Sequence, residues 1–252
     1  MGKIVKNKVL HAILWILIYV FTVNIGELLS ETLEIPYFTA LCVALLSIFL
    51  GVYLVVIKFK LTSLDKHHIK KKQSIMIYLP LITIGIIQLV KGFDQSYDWK
   101  SLLTIIVLMI GVGFIEEVIF RGFLLKAIQS KSSVKRAVLI SGVTFGIGHI
   151  VNLSRGYEYN ELIVQIIVAI AIGIILAMIV VITNSLLPGI LFHIVFNIIG
   201  SVTIQNGRTD IYLLIIILLI VIPYGLYLYQ KNKQEFISKN NITTMNHVEN
   251  TI

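Results

Sequence analysis

Long apolar runs separated by short polar breaks make up most of this chain. The runs occupy residues 9–23, 37–57, 75–90, 102–120, 137–151, 162–182, 186–202 and 211–229. A helix rising 1.5 Å per residue needs about 20 apolar residues to cross a hydrocarbon layer roughly 30 Å thick. In lipid the backbone polar groups must bond within their own segment, so the runs predict helices. The expectation is an all-α fold: a polytopic membrane helical bundle of about eight transmembrane helices. The run at 75–90 is short and holds Pro80, which a membrane helix tolerates when neighbours satisfy the freed carbonyl. The first run follows Lys3, Lys6 and Lys8, as the apolar part of a signal peptide would. No small-residue cleavage site comes after it, only Asn24, Glu27, Glu31 and Glu34, so it predicts the first transmembrane helix.

Charge in the breaks orients these helices, because positively charged short loops stay in the cytoplasm. Lysines of the N-terminus, of residues 58–72, of residues 126–136 and of the tail beyond Lys231 fall on one side. The other side carries Glu27, Glu31 and Glu34, a balanced stretch from 91 to 100, Arg155 with Glu158 and Glu161, and Arg208 with Asp210. The alternation places both termini in the cytoplasm. Residues 1–230 read as a single transmembrane domain with its chemistry in 102–202. Residues 231–252 read as a polar cytoplasmic tail without fixed structure.

Composition agrees: 57% of the 252 residues are hydrophobic and 13% charged, outside the range of soluble domains. The formal net charge of +8 comes from loop lysines, which serve topology and contact anionic lipid; the bilayer is the expected partner and nucleic acid is not. His67 and His68 stand among six lysines in 58–72, where nearby cations disfavour bound metal. The single cysteine, Cys42, lies within an apolar run and offers neither a disulfide nor a thiolate site. Abundant Ile, Lys and Asn fit an A+T-rich bacterial genome, and with it a multi-pass protein of the bacterial plasma membrane. The sequons at Asn152 and Asn241 then carry no meaning. Nothing in the sequence speaks to oligomeric state.

Three polar stretches interrupt the apolar pattern where polar groups are costly. GFIEEVIFRGFLL, from Gly113 to Leu125, holds Glu116, Glu117 and Arg121. Ionisable groups at membrane depth must be paired or face water, and they commonly mark function. Glu117 and Arg121 stand four apart on one helical face, in the favourable order for an ion pair, with Glu116 rotated away from them. TFGIGHI sets Phe145 and His149 one turn apart, and LLPGILFHIVFNIIG does the same for His193 and Asn197. Counted at about 1.5 Å per residue from the cytoplasmic helix ends, Glu116 and His193 lie roughly 10 Å deep, Asn197 about 15 Å and His149 about 18 Å. Groups at such depths on one side can line a water-filled cavity open to the cytoplasm.

These stretches resemble a known family. EEVIFR, FGIGH and HIVFN are similar to the EExxxR, FxxxH and HxxxN motifs of the CPBP family, the CAAX-protease and bacteriocin-processing intramembrane peptidases, also called the Abi family. Order, spacing and placement on successive apolar helices agree across residues 102–202. The resemblance implies a peptidase whose interior cavity hydrolyses peptide bonds. Glu116 would be the general base that activates water, with His149 helping to hold or polarise it. His193 and Asn197 would face the carbonyl oxygen, where such donors contribute on the order of 3 kcal/mol apiece. Glu117 with Arg121, and Phe145, would support them. A rival mechanism uses zinc held by Glu116, His149 and His193 with water in the open position; the chain contains no HExxH, and the cofactor stays open. A non-catalytic immunity or scaffold protein is the alternative from another class. A transporter with buried Glu and His would bring repeated halves and paired broken helices, and neither is evident. The expected substrate is a membrane-associated protein or peptide, such as a secreted peptide precursor. Phe120, Phe145, Phe192 and Phe196 could hold a greasy side chain or simply pack helices.

Overall fold

Apolar sequence alone does not end a helix, and the first helix shows why. In the computed structural model, which describes residues 7–35, 37–59, 77–156 and 158–237, α1 runs over Lys8–Thr32. Asn7 starts it by accepting from the Leu10 N–H at 3.2 Å. The helix passes the expected end at Val23 because Asn24 returns its amide to the Val20 carbonyl at 2.7 Å and so leaves the backbone ladder intact. Glu27 and Glu31, expected in the first outer loop, therefore ride on the last turns of α1.

The other helices follow the apolar runs. They are α2 (Phe38–Val56), α3 (Leu79–Ile87), α4 (Trp99–Glu117), α5 (Lys126–Gln129), α6 (Val134–Gly148), α7 (Tyr159–Thr183), α8 (Leu187–Val202), α9 (Gly207–Lys231) and α10 (Lys233–Ile237). α3 tightens into a 3-10 turn over Gln88–Lys91, and α6 into another over His149–Arg155. Between α4 and α5 the coil widens to a π-helix over Val118–Leu125. Among the described residues six helical segments are long and apolar enough to cross a membrane, and Leu79–Lys91 and Leu187–Val202 are shorter apolar helices. Many large side chains point outward, Phe21 at 68% exposure and Val55 at 77% among them, as a lipid-facing surface requires. The protein is a multi-pass, all-helical membrane protein. Among the described residues there is no strand, only an isolated antiparallel bridge between Phe93 and Thr203.

Two further expectations change. Pro80 sits in the first turn of α3, where a missing N–H breaks no bond; the proline inside a helix is Pro223 of α9. The tail begins with structure rather than disorder, since α10 buries Phe236 with its ring centroid 5.6 Å from that of Tyr229. Asn152 of the first sequon is buried and donates to Gln165 Oε1 at 2.8 Å. His67, His68 and Asn241 lie outside the described residues.

The chain divides into two compact units. The first comprises residues 1–63, 81–123 and 186–205; the second comprises 64–80, 124–185 and 206–252. Within the first, small residues set the spacing: Gly26 of α1 meets Thr39 of α2, Gly111 of α4 meets Val43 of α2, and Gly113 of α4 meets Ile194 of α8. Gln88 joins α8 to the turn after α3, its amide donating to the Phe196 carbonyl at 3.0 Å. Within the second, Gly142 and Gly146 of α6 lie against Ile174 and Ile170 of α7, and Gly225 of α9 against Ile175.

Candidate active site

In the first unit, the end of α4 brings two carboxylates to one imidazole. Glu117 is fully buried, and its Oε1 accepts from Arg121 Nη1 at 2.8 Å and from His193 Nδ1 at 3.1 Å. Its Oε2 has no hydrogen-bond partner among the described residues and faces Gly189 of α8, where a Cβ would lie 2.9 Å away. The glycine is thus the space the carboxylate occupies. Arg121 is equally buried and stands on the first turn of the π-helix. The i,i+4 ion pair is where the spacing put it.

Glu116 is not rotated out of this group. Its Oε2 lies 3.3 Å from His193 Nε2, and its Oε1 accepts from the Tyr19 hydroxyl of α1 at 2.9 Å. His193 therefore stands between the carboxylates with a ring nitrogen toward each. A carboxylate bound to arginine can only accept, so Nδ1 carries the hydrogen toward Glu117. Each ring nitrogen of His193 thus faces one carboxylate oxygen, Nδ1 that of Glu117 and Nε2 that of Glu116.

Asn197, one turn further along α8, is half-buried, and its amide makes no hydrogen bond among the described residues. Phe192 and Phe196 pack on each other at 5.4 Å between ring centroids. In the second unit, His149 opens the 3-10 turn that continues α6, within the apolar segment Val134–Leu153. Its Nδ1 lies 3.2 Å from the Phe145 carbonyl oxygen and its ring meets the Phe145 ring edge-on at 5.2 Å. A carbonyl can only accept, so Nδ1 bears the hydrogen and Nε2 is the acceptor nitrogen of the neutral ring.

Residues 98–199 match the Rce1-like family, described as type II CAAX prenyl endopeptidase Rce1-like. Over these residues the chain is similar to that family. The Rce1-like segment spans every site residue the motifs singled out, from Glu116 to Asn197, and leaves out α1 with Tyr19. Compared with curated proteins and with solved structures, the chain returns no significant match to either.

Zinc is the group to test against these donors. His193 Nε2 and Glu116 Oε2, 3.3 Å apart, are two donors a zinc ion could take, with Nδ1 held by Glu117, and a third is needed. Among the described residues no three His, Cys, Asp or Glu side chains are arranged to hold a metal ion. The donor set does not fit zinc in this arrangement. Three residues that matter escaped the motifs: Tyr19, Gln88 and Gly189. The signal for Gly189 was present in LLPGILFH; a tyrosine in an apolar run and a glutamine near a helix end carry no such mark.

Proposed function

We propose that the protein is an intramembrane endopeptidase of the CAAX-protease type, hydrolysing peptide bonds of membrane-associated proteins or peptide precursors with glutamate-activated water. The observation that carries the reading is the buried Glu116 carboxylate, held by Tyr19 and within reach of the His193 ring, in an Rce1-like segment. In this reading Glu116 acts as the general base. It takes a proton from water as the water oxygen bonds to the scissile carbonyl carbon. The electron pair of the C=O bond moves to oxygen, and the Asn197 amide donates to that oxyanion. The C–N bond then breaks, and the leaving nitrogen takes the proton from Glu116. The products are an amine and a carboxyl group. His149 enters by its motif alone, as the histidine of FGIGH. No step calls for a metal. The plasma membrane of a bacterium is the proposed location, and secreted peptide precursors met at its cytoplasmic face are the proposed substrates.

The test uses purified full-length protein in lipid nanodiscs with a library of membrane-anchored reporter peptides. Glu116→Gln keeps size and hydrogen bonding but removes the base, and cleavage is expected to fall by about 10²–10⁴ with the melting temperature retained. Cleavage is expected to survive stringent chelation; complete loss restored by zinc would overturn the metal-free mechanism. Wild-type processing and phenotype by both Glu116→Gln and His149→Ala, at matched protein levels, would leave the immunity or scaffold reading standing instead.

A further inference from the structure

The second unit carries an apolar groove of about 650 Å³ between α6, α7, α9 and α10. Its walls are aliphatic from Ile167 to Met178 on α7 and from Leu218 to Leu226 on α9. On α7 that is about 16 Å at 1.5 Å per residue, close to half of a hydrocarbon layer roughly 30 Å thick. The groove thus runs the depth of one leaflet. Among the described residues its charged lining residue is Lys135, at the start of α6, with Nζ 4.9 Å from the centroid of the Tyr229 ring. Tyr229 and Phe236 pack together at that same end, forming an aromatic collar below the charge. Arg136 and Lys131 are exposed beside it.

Which leaflet this is follows from the loop charges. The basic stretch 126–136 stays in the cytoplasm by the positive-inside rule, so the charged mouth opens at the inner leaflet, where anionic lipids give the surface its negative potential. An aliphatic slot one leaflet deep with cations at its headgroup end is complementary to one kind of molecule. We propose that the groove binds an anionic phospholipid of the inner leaflet, an acyl chain lying along α7 and α9 and the phosphate meeting Lys135. None of the residues involved belongs to the candidate active site, so the proposal stands apart from the peptidase reading.

The test is native mass spectrometry and thermal unfolding of the full chain in neutral detergent, with phosphatidylglycerol or phosphatidylcholine of identical acyl chains. Wild type is expected to retain phosphatidylglycerol as a one-to-one adduct and to melt higher with it than with phosphatidylcholine. Lys135→Glu is expected to reduce the preference about tenfold, because each basic group near the surface is worth about 1 kcal/mol toward anionic lipid. Lys100→Glu, a cation of the other unit, should leave it unchanged. Ala171→Phe, which narrows the slot, should weaken both lipids. Should Lys135→Glu fail to fold, Lys135→Gln carries the same comparison with a smaller loss. Equal retention of the two lipids by wild type, an unaltered preference in the Lys135 variants, or a dimer that retains no lipid would each overturn the proposal.

Discussion

Glu117 binds Arg121 and His193, Tyr19 binds Glu116, and each contact makes a separable prediction. Glu117 forms a buried ion pair with Arg121, so removing only the arginine leaves a carboxylate without its cation. Arg121→Ala should destabilise by about 3–5 kcal/mol, while Glu117→Gln combined with Arg121→Met should cost well under the sum of the two single changes. Unfolding of all three variants in mild detergent measures the coupling; additive effects would mean the pair contributes nothing as a pair. Tyr19 acts through one hydroxyl, donated to Glu116 at 2.9 Å. Hydrogen bonds to charged groups are worth about 1.5–3 kcal/mol, so Tyr19→Phe should lower turnover about tenfold or more while KM for the reporter peptide changes little. A matched fall in thermal stability with turnover unaffected would make the contact structural only. Of these residues the sequence announced the charged ones, because a charge in an apolar run stands out. Tyr19 did not stand out, since its partner is 97 positions away and a hydroxyl changes the apolar pattern very little.

At the scale of elements, α6 shows how one motif serves two purposes. Gly142 and Gly146 are four apart, and a Cβ on either would approach the backbone nitrogen of Ile174 or Ile170 to 2.7 Å. Backbone cannot step aside as a side-chain end can, so Gly142→Ala or Gly146→Ala should separate α6 from α7 and cost about 1–3 kcal/mol by overpacking. Gly148, two residues further on, has nothing within 4 Å of a Cβ, and Gly148→Ala should leave the melting temperature unchanged. Equal effects at 146 and 148 would refute the packing role. The match at Phe145–His149 is thus embedded in a stripe whose glycines pack two helices, and spacing alone does not tell packing from chemistry. The helices themselves were legible because the apolar runs are long. Their ends were not: α1 outlasts its apolar run through a local side-chain bond at Asn24, and the π-helix after Glu117 depends on packing that no local pattern encodes. Glu116 and Glu117 both stand on the α-helical part of α4, about 100° apart, and they meet at His193 because each faces a different nitrogen of that one ring.

At the scale of the whole molecule, sidedness depends on whether the two short apolar helices cross. Leu79–Lys91 and Leu187–Val202 fall short of the roughly 20 residues of an ordinary span. The alternation of loop charge nevertheless requires both to cross: without the first, the basic stretch 126–136 would share a side with the acidic end of α1, and without the second the basic tail from Lys231 would lie on the side opposite that stretch. Two observations agree. The chain leaving α3 is stitched to the chain leaving α8, with Asp94 N–H donating to the Val202 carbonyl at 2.9 Å and Ile204 N–H to Gly92 at 3.1 Å, as two helices crossing in the same direction would end. Exposed Tyr37, Trp99, Tyr159 and Tyr212 all stand at helix ends assigned to the outer face, where amphipathic rings collect at the membrane interface. Labelling by a membrane-impermeant thiol reagent checks this directly, in a Cys42→Ala background that leaves no other thiol. A cysteine at Ser96, between α3 and α4, should react from outside intact cells, and one at Ser132, between α5 and α6, only after the cytoplasmic face is opened. If Ser96→Cys reacts only from the cytoplasm, Leu79–Lys91 turns back instead of crossing. The carboxylates of α4 would then approach from the outer face, and a cytoplasmic peptide could not be the substrate.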